Sequence, residues 1–598
     1  MKNIESIHQE AIEITIDSKK KYDLVSFFRI VLFVVSLIEI VRYFIKSNTF
    51  ELIIGVVSFA LFLFLLSISV NLSNTIQFYN NVKSVCDEIK NQGKKNLKNT
   101  VVESVNDHHY AFDLDVIGNK SLIEKINRCQ TNIGKNKLKF FLLNHLLDPN
   151  AIIERQNAVK ELSGKLEWCV KFLANTKSIQ SKVGDFKKQD KWTFNYTDFR
   201  LNSKTVQFLL IAIPILNVIL IVLAFTIKST LISSLVFFVL LLISMIINKL
   251  YGKSINEIVA TVDNKANELK GYVAVFTLIE QEQFNSKEEI LLQQKIISKN
   301  NEAASVLIKK LSGLIDSFES GNIMIFGTIF NVVFLWKLQF AVRIEKFIFD
   351  NSNELPQWFD AVAEYEALIC FGLFAYQNEG FNYPICTENV RVVTAVNLSH
   401  PLISKNARVY NNFSTIQNNN VTIITGANMT GKSTFLRSIG INLVLAMNGC
   451  PVCAESFSFY PISIFTSMRT SDSLSDGSSY FNAEIKRLKI LVDKLENKEP
   501  QFIILDEILK GTNSVDKLKG SELFLEKIMK MQTFNTCLIA THDLDLTKME
   551  DLYPNTIVNY CFELYNNNGL LEPDYKLQRG VTKSMNAIDL MRRNKIID

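Results

Sequence analysis

A disulfide framework is absent. Nine cysteines are scattered through 598 residues, an odd number at irregular spacing. That excludes a cysteine-stapled fold and fits a reducing compartment. The single C-x-x-C, Cys450 to Cys453, has no second Cys or His pair near it. It reads as a buried helix–strand connection rather than a metal or redox centre. Strong charge of one sign is absent too. A net charge of +5 on this length neither demands nor excludes a nucleic-acid partner. Residues 1–23 are polar and mixed in charge, without the short apolar core of a cleavable signal peptide. No internal repeat and no low-complexity tract is found, which excludes solenoids and disordered arrays.

What the chain does have is apolar length. Hydrophobic residues make up 48%, high for a soluble enzyme, so part of the chain is expected in a bilayer. Leu52–Val70 runs 19 residues without a charge. Phe208–Ile227 and Leu231–Ile247 are almost as clean, and about 20 apolar residues cross a hydrocarbon core. Leu24–Ile45 holds Arg29, Glu39 and Arg42, and reads as a fourth span or as an amphipathic helix lying on the membrane. The four segments form two hairpins. Lys19–Lys21, Lys83, Lys90, Lys94, Lys95, Lys249 and Lys253 flank them on one side. The positive-inside rule then puts both termini and residues 75–205 on the cytoplasmic face of the inner membrane. Ile323–Trp336, 14 residues long, is expected as a buried core helix rather than a span.

Five regions follow: 1–74 with the first hairpin, 75–205 helical, 206–249 with the second hairpin, 250–389 helical, and 390–598. Ser305–Phe318 and Ala361–Tyr376 carry helical apolar spacing. Lys and Arg at 120, 125, 128, 135, 137 and 139 read as a solvated helix face rather than a nucleic-acid contact. From about 390, short β-branched runs alternate with helices: Val421–Thr425, Phe502–Leu505, Leu538–Thr541 and Ile557–Leu564. That alternation predicts an α/β fold with a largely parallel sheet.

Three motifs sit in this last region. Gly426-Ala427-Asn428-Met429-Thr430-Gly431-Lys432-Ser433 is a complete G-x-x-x-x-G-K-[ST] between an apolar strand and a predicted helix, Ser433–Met447. The glycines let backbone N–H groups turn toward phosphate oxygens, and the helix amino terminus adds positive potential. Lys432 is expected to reach the β and γ phosphates of ATP, and the Ser433 hydroxyl to hold Mg²⁺. Phe502–Leu505 is a buried strand ending in Asp506 and Glu507, the first a Mg²⁺ ligand and the second placed to polarise the attacking water. His542, directly after the strand Cys537–Thr541, is placed to sense the γ phosphate.

With their surroundings these elements resemble the ATPase domain of the MutS family of DNA mismatch-repair proteins. Thr425–Thr434, TGANMTGKST, is similar to that family's extended P-loop, which adds Thr434 to the nucleotide-binding set. Leu505–Asn513, LDEILKGTN, resembles its Asp-Glu segment, Ile539–Leu546 its histidine switch, and Tyr575–Gly580 its closing segment. Asp476–Ile485, DGSSYFNAEI, resembles the segment that crosses to the partner subunit, and the resemblance implies that Ser479 touches the γ phosphate in trans. Further back, Ile117–Leu162, with Ile133-Gly134, Leu147-Asp148-Pro149 and Ile153–Val159, is similar to the start of the family's helical lever. The resemblance implies a Mg²⁺-dependent P-loop ATPase that pairs head to tail as a homodimer and grips DNA. The family's mismatch-reading domain with its Phe-x-Glu wedge has no counterpart in this sequence, and membrane segments occupy that end. An ABC-type ATPase of a transport or membrane-remodelling system is the alternative. Against it, no LSGGQ-like signature precedes Asp506, and neither hairpin has a central ionisable residue.

Overall fold

The computed structural model describes residues 2–91, 108–182, 201, 203–227, 230–262, 266–298, 301–321, 326–387, 393–415, 420–469, 480–510, 512–531, 533–567 and 570–583. The chain opens with two long antiparallel helices, α1 (Ile4–Lys46) and α2 (Thr49–Lys90). Asn3 caps α1 by accepting from the Ser6 amide, and a left-handed Ser47 turns the chain into α2. Small residues bring the two helices together: the Ser36 hydroxyl donates to the Gly55 carbonyl at 3.0 Å, and a Cβ on Gly55 would lie 3.0 Å from Ile40. Their far ends present a continuous apolar belt, with Phe27 and Phe64 each 63% exposed. Their near ends carry Ile7, Ala11, Val85 and Ile89, which are buried, and α2 packs on α6 (below).

Next come α3 (Leu122–Ile126), α4 (Asn132–Leu143), α5 (Pro149–Gly164) and α6 (Leu166–Lys182). Asp148 caps α5, with Pro149 in its first turn. Helices α7 (Lys204–Ile227) and α8 (Thr230–Val262) form the second hairpin, followed by α9 (Ala266–Gln281), α10 (Lys287–Lys295), α11 (Ala304–Ser320), α12 (Phe326–Phe334), α13 (Trp336–Asp350) and α14 (Leu355–Gln377). The last of these is buried along almost its whole length and packs against α4, α5 and α10. Glu366, in its middle, accepts from the Gln130 and Thr131 amides at 2.6 and 3.0 Å and from the Thr131 hydroxyl. Gly134 makes room for it, since a Cβ there would fall 1.9 Å from the carboxylate.

Among the described residues, three helices are long and apolar enough to cross a membrane: α1, α2 and Lys204–Ala224 of α7. Up to five spans result if each of two bent pairs counts as one. The expected segment Leu231–Ile247 belongs to such a pair, bent by 54° near Lys249. The expectation for Ile323–Trp336 is corrected. Helix α12 is not a core helix: Ile329 and Phe330 are 54% and 40% exposed, and it lies against α7 and α8. A left-handed Leu335 turns the chain by 77° into α13. Asn217 of α7 donates to the Val332 and Val333 carbonyls at 3.1 and 2.9 Å, which satisfies acceptors that the break frees. The basic cluster is corrected as well. The Lys125 ammonium donates to the Pro401 carbonyl, Arg128 is buried, and Lys137 pairs with Asp360 and Glu364. Much of this face is turned inward.

The carboxy-terminal region holds two sheets. Strands β1 (Ile385–Cys386), β2 (Val393–Leu398), β3 (Asn411–Ser414) and β5 (Ser456–Phe459) form the smaller, in the order β1-β5-β2-β3. Strands β4 (Asn420–Gly426), β6 (Ser463–Ser467), β7 (Gln501–Asp506), β8 (Asn535–Ala540), β9 (Ile557–Asn567) and β10 (Leu570–Arg579) form the larger, in the order β10-β9-β4-β8-β7-β6. It is parallel except for the β9–β10 pair. Its interstrand helices are α15 (Lys432–Met447), α16 (Tyr480–Glu496), α17 (Ser514–Lys530) and the short α18 (Met549–Leu552). Parallel strands buried on both faces read as unbroken apolar runs, which is why this sheet was visible in the sequence and the smaller, half-polar one was not.

Candidate active site at the sheet edge

Adjacent parallel strands deliver the chemistry. Strand β4 ends at Gly426 and α15 begins at Lys432, so the loop between them lies at the carboxyl edge of the sheet, where open α/β sheets place ligands. Three of its residues have positive φ: Gly426 (148°), Met429 (65°) and Gly431 (104°). A Cβ on Gly426 would lie 2.8 Å from the Phe562 carbonyl, and one on Gly431 would lie 3.1 Å from the Tyr575 ring. Both positions need glycine on grounds of space as well as backbone. The Thr430 hydroxyl donates to the Ala427 carbonyl at 2.8 Å and closes the loop. Asn428 and Met429 form its exposed crest, Ser433 is half-buried at the helix start, and Thr434 points outward.

The buried Lys432 donates to the Gly426 and Ala427 carbonyls at 2.8 and 2.9 Å. Burial lowers its ammonium to about 8, and the charges of Asp506 and Glu507 act the other way. Two strands across, β7 ends at Asp506, paired in register with Ala540 at the end of β8. Glu507 follows with φ 58° and Leu509 with φ 60°. Two left-handed non-glycine residues in one turn cost about 1–3 kcal/mol each, so the surroundings must hold this turn. The Glu507 amide donates to the Ala540 carbonyl at 2.9 Å. Its carboxylate accepts from Lys517 at 3.0 Å and lies 3.5 Å from Lys510. Burial would raise the Glu507 carboxyl, but Lys517, then Lys510 and His542, bring it below its ordinary value. His542 is held below the usual imidazole range by burial first and by the charge of Lys432 next. Lys432, Asp506, Glu507 and His542 thus share one electrostatic neighbourhood, drawn from β4, β7 and β8.

Ser479, the expected trans contact, lies outside the described residues. Two groups close to the site gave no clear sequence signal. Lys517, on α17, is ten positions from the carboxylate it pairs with. Glu484, on α16, accepts from the Leu509 and Lys510 amides at 2.7 and 3.2 Å. It does stand inside DGSSYFNAEI, but nothing in the sequence ties it to the turn after Glu507. Among the described residues no group of three or more His, Cys, Asp or Glu could by itself hold a metal ion. The donors at hand are one hydroxyl, Ser433, and one carboxylate, Asp506. That sparse oxygen set suits Mg²⁺ held largely by substrate phosphates and water, and the glycine cradle at a helix amino terminus suits the phosphates themselves.

Comparison with known proteins agrees. The family profile for MutS domain V matches residues 422–596. The likeness to the MutS family is carried by these residues, less than a third of the chain. MutS protein homolog 4 of Mus musculus is 34% identical over 197 residues, 31% of this chain and 20% of that protein. DNA mismatch repair protein MutS of Petrotoga mobilis is 28% identical over 260 residues, 42% of this chain and 31% of that protein. The corresponding protein of Chlorobaculum tepidum is 31% identical over 206 residues, 33% and 23% of the two chains. The matched stretches thus span about a fifth to a third of these relatives. Each of these matches covers less than half of this chain.

Proposed function

We propose that this chain is a membrane-anchored, MutS-like ATPase that binds ATP with Mg²⁺, hydrolyses it as a head-to-tail homodimer, and acts on DNA. The observation that carries the reading is the convergence of Lys432, Asp506, Glu507 and His542 on one sheet edge beside a glycine cradle. MutS-family proteins are ATPases that act as dimers and bind DNA. In the proposed site Lys432, now on its loop carbonyls, would bind the β and γ phosphates, and Ser433 and Asp506 would hold Mg²⁺, which would supply charge neutralisation. Glu507, with lowered proton affinity, is suited to orienting the attacking water by hydrogen bonding rather than to taking its proton early. His542 reports the γ phosphate, and Ser479 of a second copy completes the site. The exposed apolar belts of α1, α2 and α7 support a bilayer anchor, with the MutS-type domain on the cytoplasmic side.

The test is ATPase rate in nanodiscs with and without duplex, mismatched and branched DNA, beside Lys432→Ala and Glu507→Ala. DNA-stimulated turnover lost in both variants supports the reading. Turnover that depends on Glu507 yet ignores every DNA removes DNA from it and favours the ABC-type alternative. No turnover in the unmodified protein overturns it.

A further inference from the structure

We propose that Glu484 is a positioning residue for Glu507, and that Asp113 ties this setting to the amino-terminal helical region. The inference rests on the ATPase reading for its kinetic consequence, but not for its geometry. Glu507 sits in a turn with two left-handed residues, a conformation that relaxes unless something holds it. The buried Glu484 holds it with a bidentate grip on the Leu509 and Lys510 amides. A carboxylate accepting two backbone N–H bonds in a dry environment is a stiff and directional clamp.

Glu484 is in turn only as well placed as α16. One turn along that helix, the Arg487 guanidinium donates to the Thr466 carbonyl at 2.9 Å and to Asp113 at 3.1 Å. Asp113 is itself buried, in an irregular stretch before α3 (108–117). It also accepts from the Thr466 hydroxyl at 2.6 Å and the Met468 and Arg469 amides at 3.1 and 2.9 Å. The same stretch grips the P-loop helix. Arg437 of α15 donates to the Asp113 carbonyl at 3.0 Å, and a Cβ on Gly440 would meet the Leu114 side chain at 2.6 Å. One short segment outside the ATPase domain therefore touches both the helix that starts at Lys432 and the helix that clamps the Glu507 turn. A shift of the helical region moves both halves of the site, and misplacement of about 1 Å costs roughly a hundredfold in rate.

The experiment uses full-length protein in nanodiscs, with Glu484→Gln, Glu484→Ala, Asp113→Asn and Lys160→Ala, a remote surface control. Two readouts are taken: amide exchange of the peptide spanning 505–510, and kcat and KM for ATP beside nucleotide affinity. Faster exchange at 509–510 in Glu484→Ala and Asp113→Asn, with kcat down about tenfold to a hundredfold and affinity within twofold, supports the proposal. Glu484→Gln, which keeps one acceptor oxygen, falls between. Unchanged exchange in folded Glu484→Ala overturns the clamp, and normal exchange in Asp113→Asn overturns the link. Altered exchange in a protein that never turns over ATP sinks the ATPase reading and leaves the clamp standing. A fall in affinity equal to the fall in kcat makes Glu484 a binding residue and overturns the positioning role.

Discussion

Lys432 carries a cost that nucleotide is expected to relieve. Burial lowers its ammonium to about 8, so part of the population is neutral near that pH. Bound phosphate favours the charged form and raises the value again. Binding therefore takes up a proton, and ATP affinity is expected to weaken as pH rises through about 8. Calorimetric titration over that range in two buffers of different ionisation enthalpy checks the sign. Lys432→Ala should lose the dependence together with about 1.5–3 kcal/mol of binding. Lys517 makes a second case. Burial alone would raise the Glu507 carboxyl, and the Lys517 hydrogen bond is the largest influence against it. In Lys517→Met the acid limb of the kcat/KM profile should move to higher pH. A limb that stays put would mean that Glu507 does not set it. Gly134 matters for a steric reason: three hydrogen bonds fix the Glu366 carboxylate that a Cβ would strike. Gly134→Ala should cost about 1–3 kcal/mol, read as a lower denaturant midpoint without loss of the nucleotide site.

At the scale of elements, the break between α12 and α13 is held from outside. Asn217 reaches from α7 to two carbonyls that the 77° turn leaves free. Asn217→Leu has nearly the same bulk and no donor, so it strands those acceptors at about 1–3 kcal/mol. The expected result is faster protease cleavage near Leu335 in nanodiscs, with ATP affinity unchanged. The element was legible only in part. Its apolar content and its 14-residue limit stood in the sequence, but its exposure did not. A short apolar helix looks the same whether a protein core or the flank of another apolar hairpin covers it. The P-loop strand and the Asp506 strand were legible because fully buried parallel strands repeat one composition. Strands β1, β2, β3 and β5 alternate or stop after two to six residues, too short for a pattern to rise above its surroundings.

For the whole molecule, the proposed bilayer anchor makes a labelling prediction. Eight of the nine cysteines are buried and Cys386 is half-buried, so single new cysteines give a clean label. In intact nanodiscs Phe27→Cys and Phe64→Cys should resist a charged maleimide that modifies Lys160→Cys, and react after detergent. Equal labelling at all three positions would remove the membrane from the account. The long first hairpin then has a mechanical meaning. Its apolar half faces outward, its polar half packs on α6, and the helical body between it and the MutS-type domain carries the 108–117 stretch that touches α15 and α16.

The sequence by itself determined the local chemistry. A glycine cradle needs particular residues at consecutive positions, and a buried strand ending in Asp506-Glu507 needs only its neighbours in the chain. The same holds for the apolar runs, whose length and composition are local properties of the chain. Only the tertiary structure decided what holds those groups in place. Lys517 against Glu507, Glu484 under Leu509, Asp113 against Arg487 and Asn217 under Val332 join residues 10 to 374 positions apart. A charged or amide side chain carries no mark of its distant partner. Its partner is set by which helices pack together, and that is fixed by the burial of the whole apolar core rather than by any one stretch of sequence.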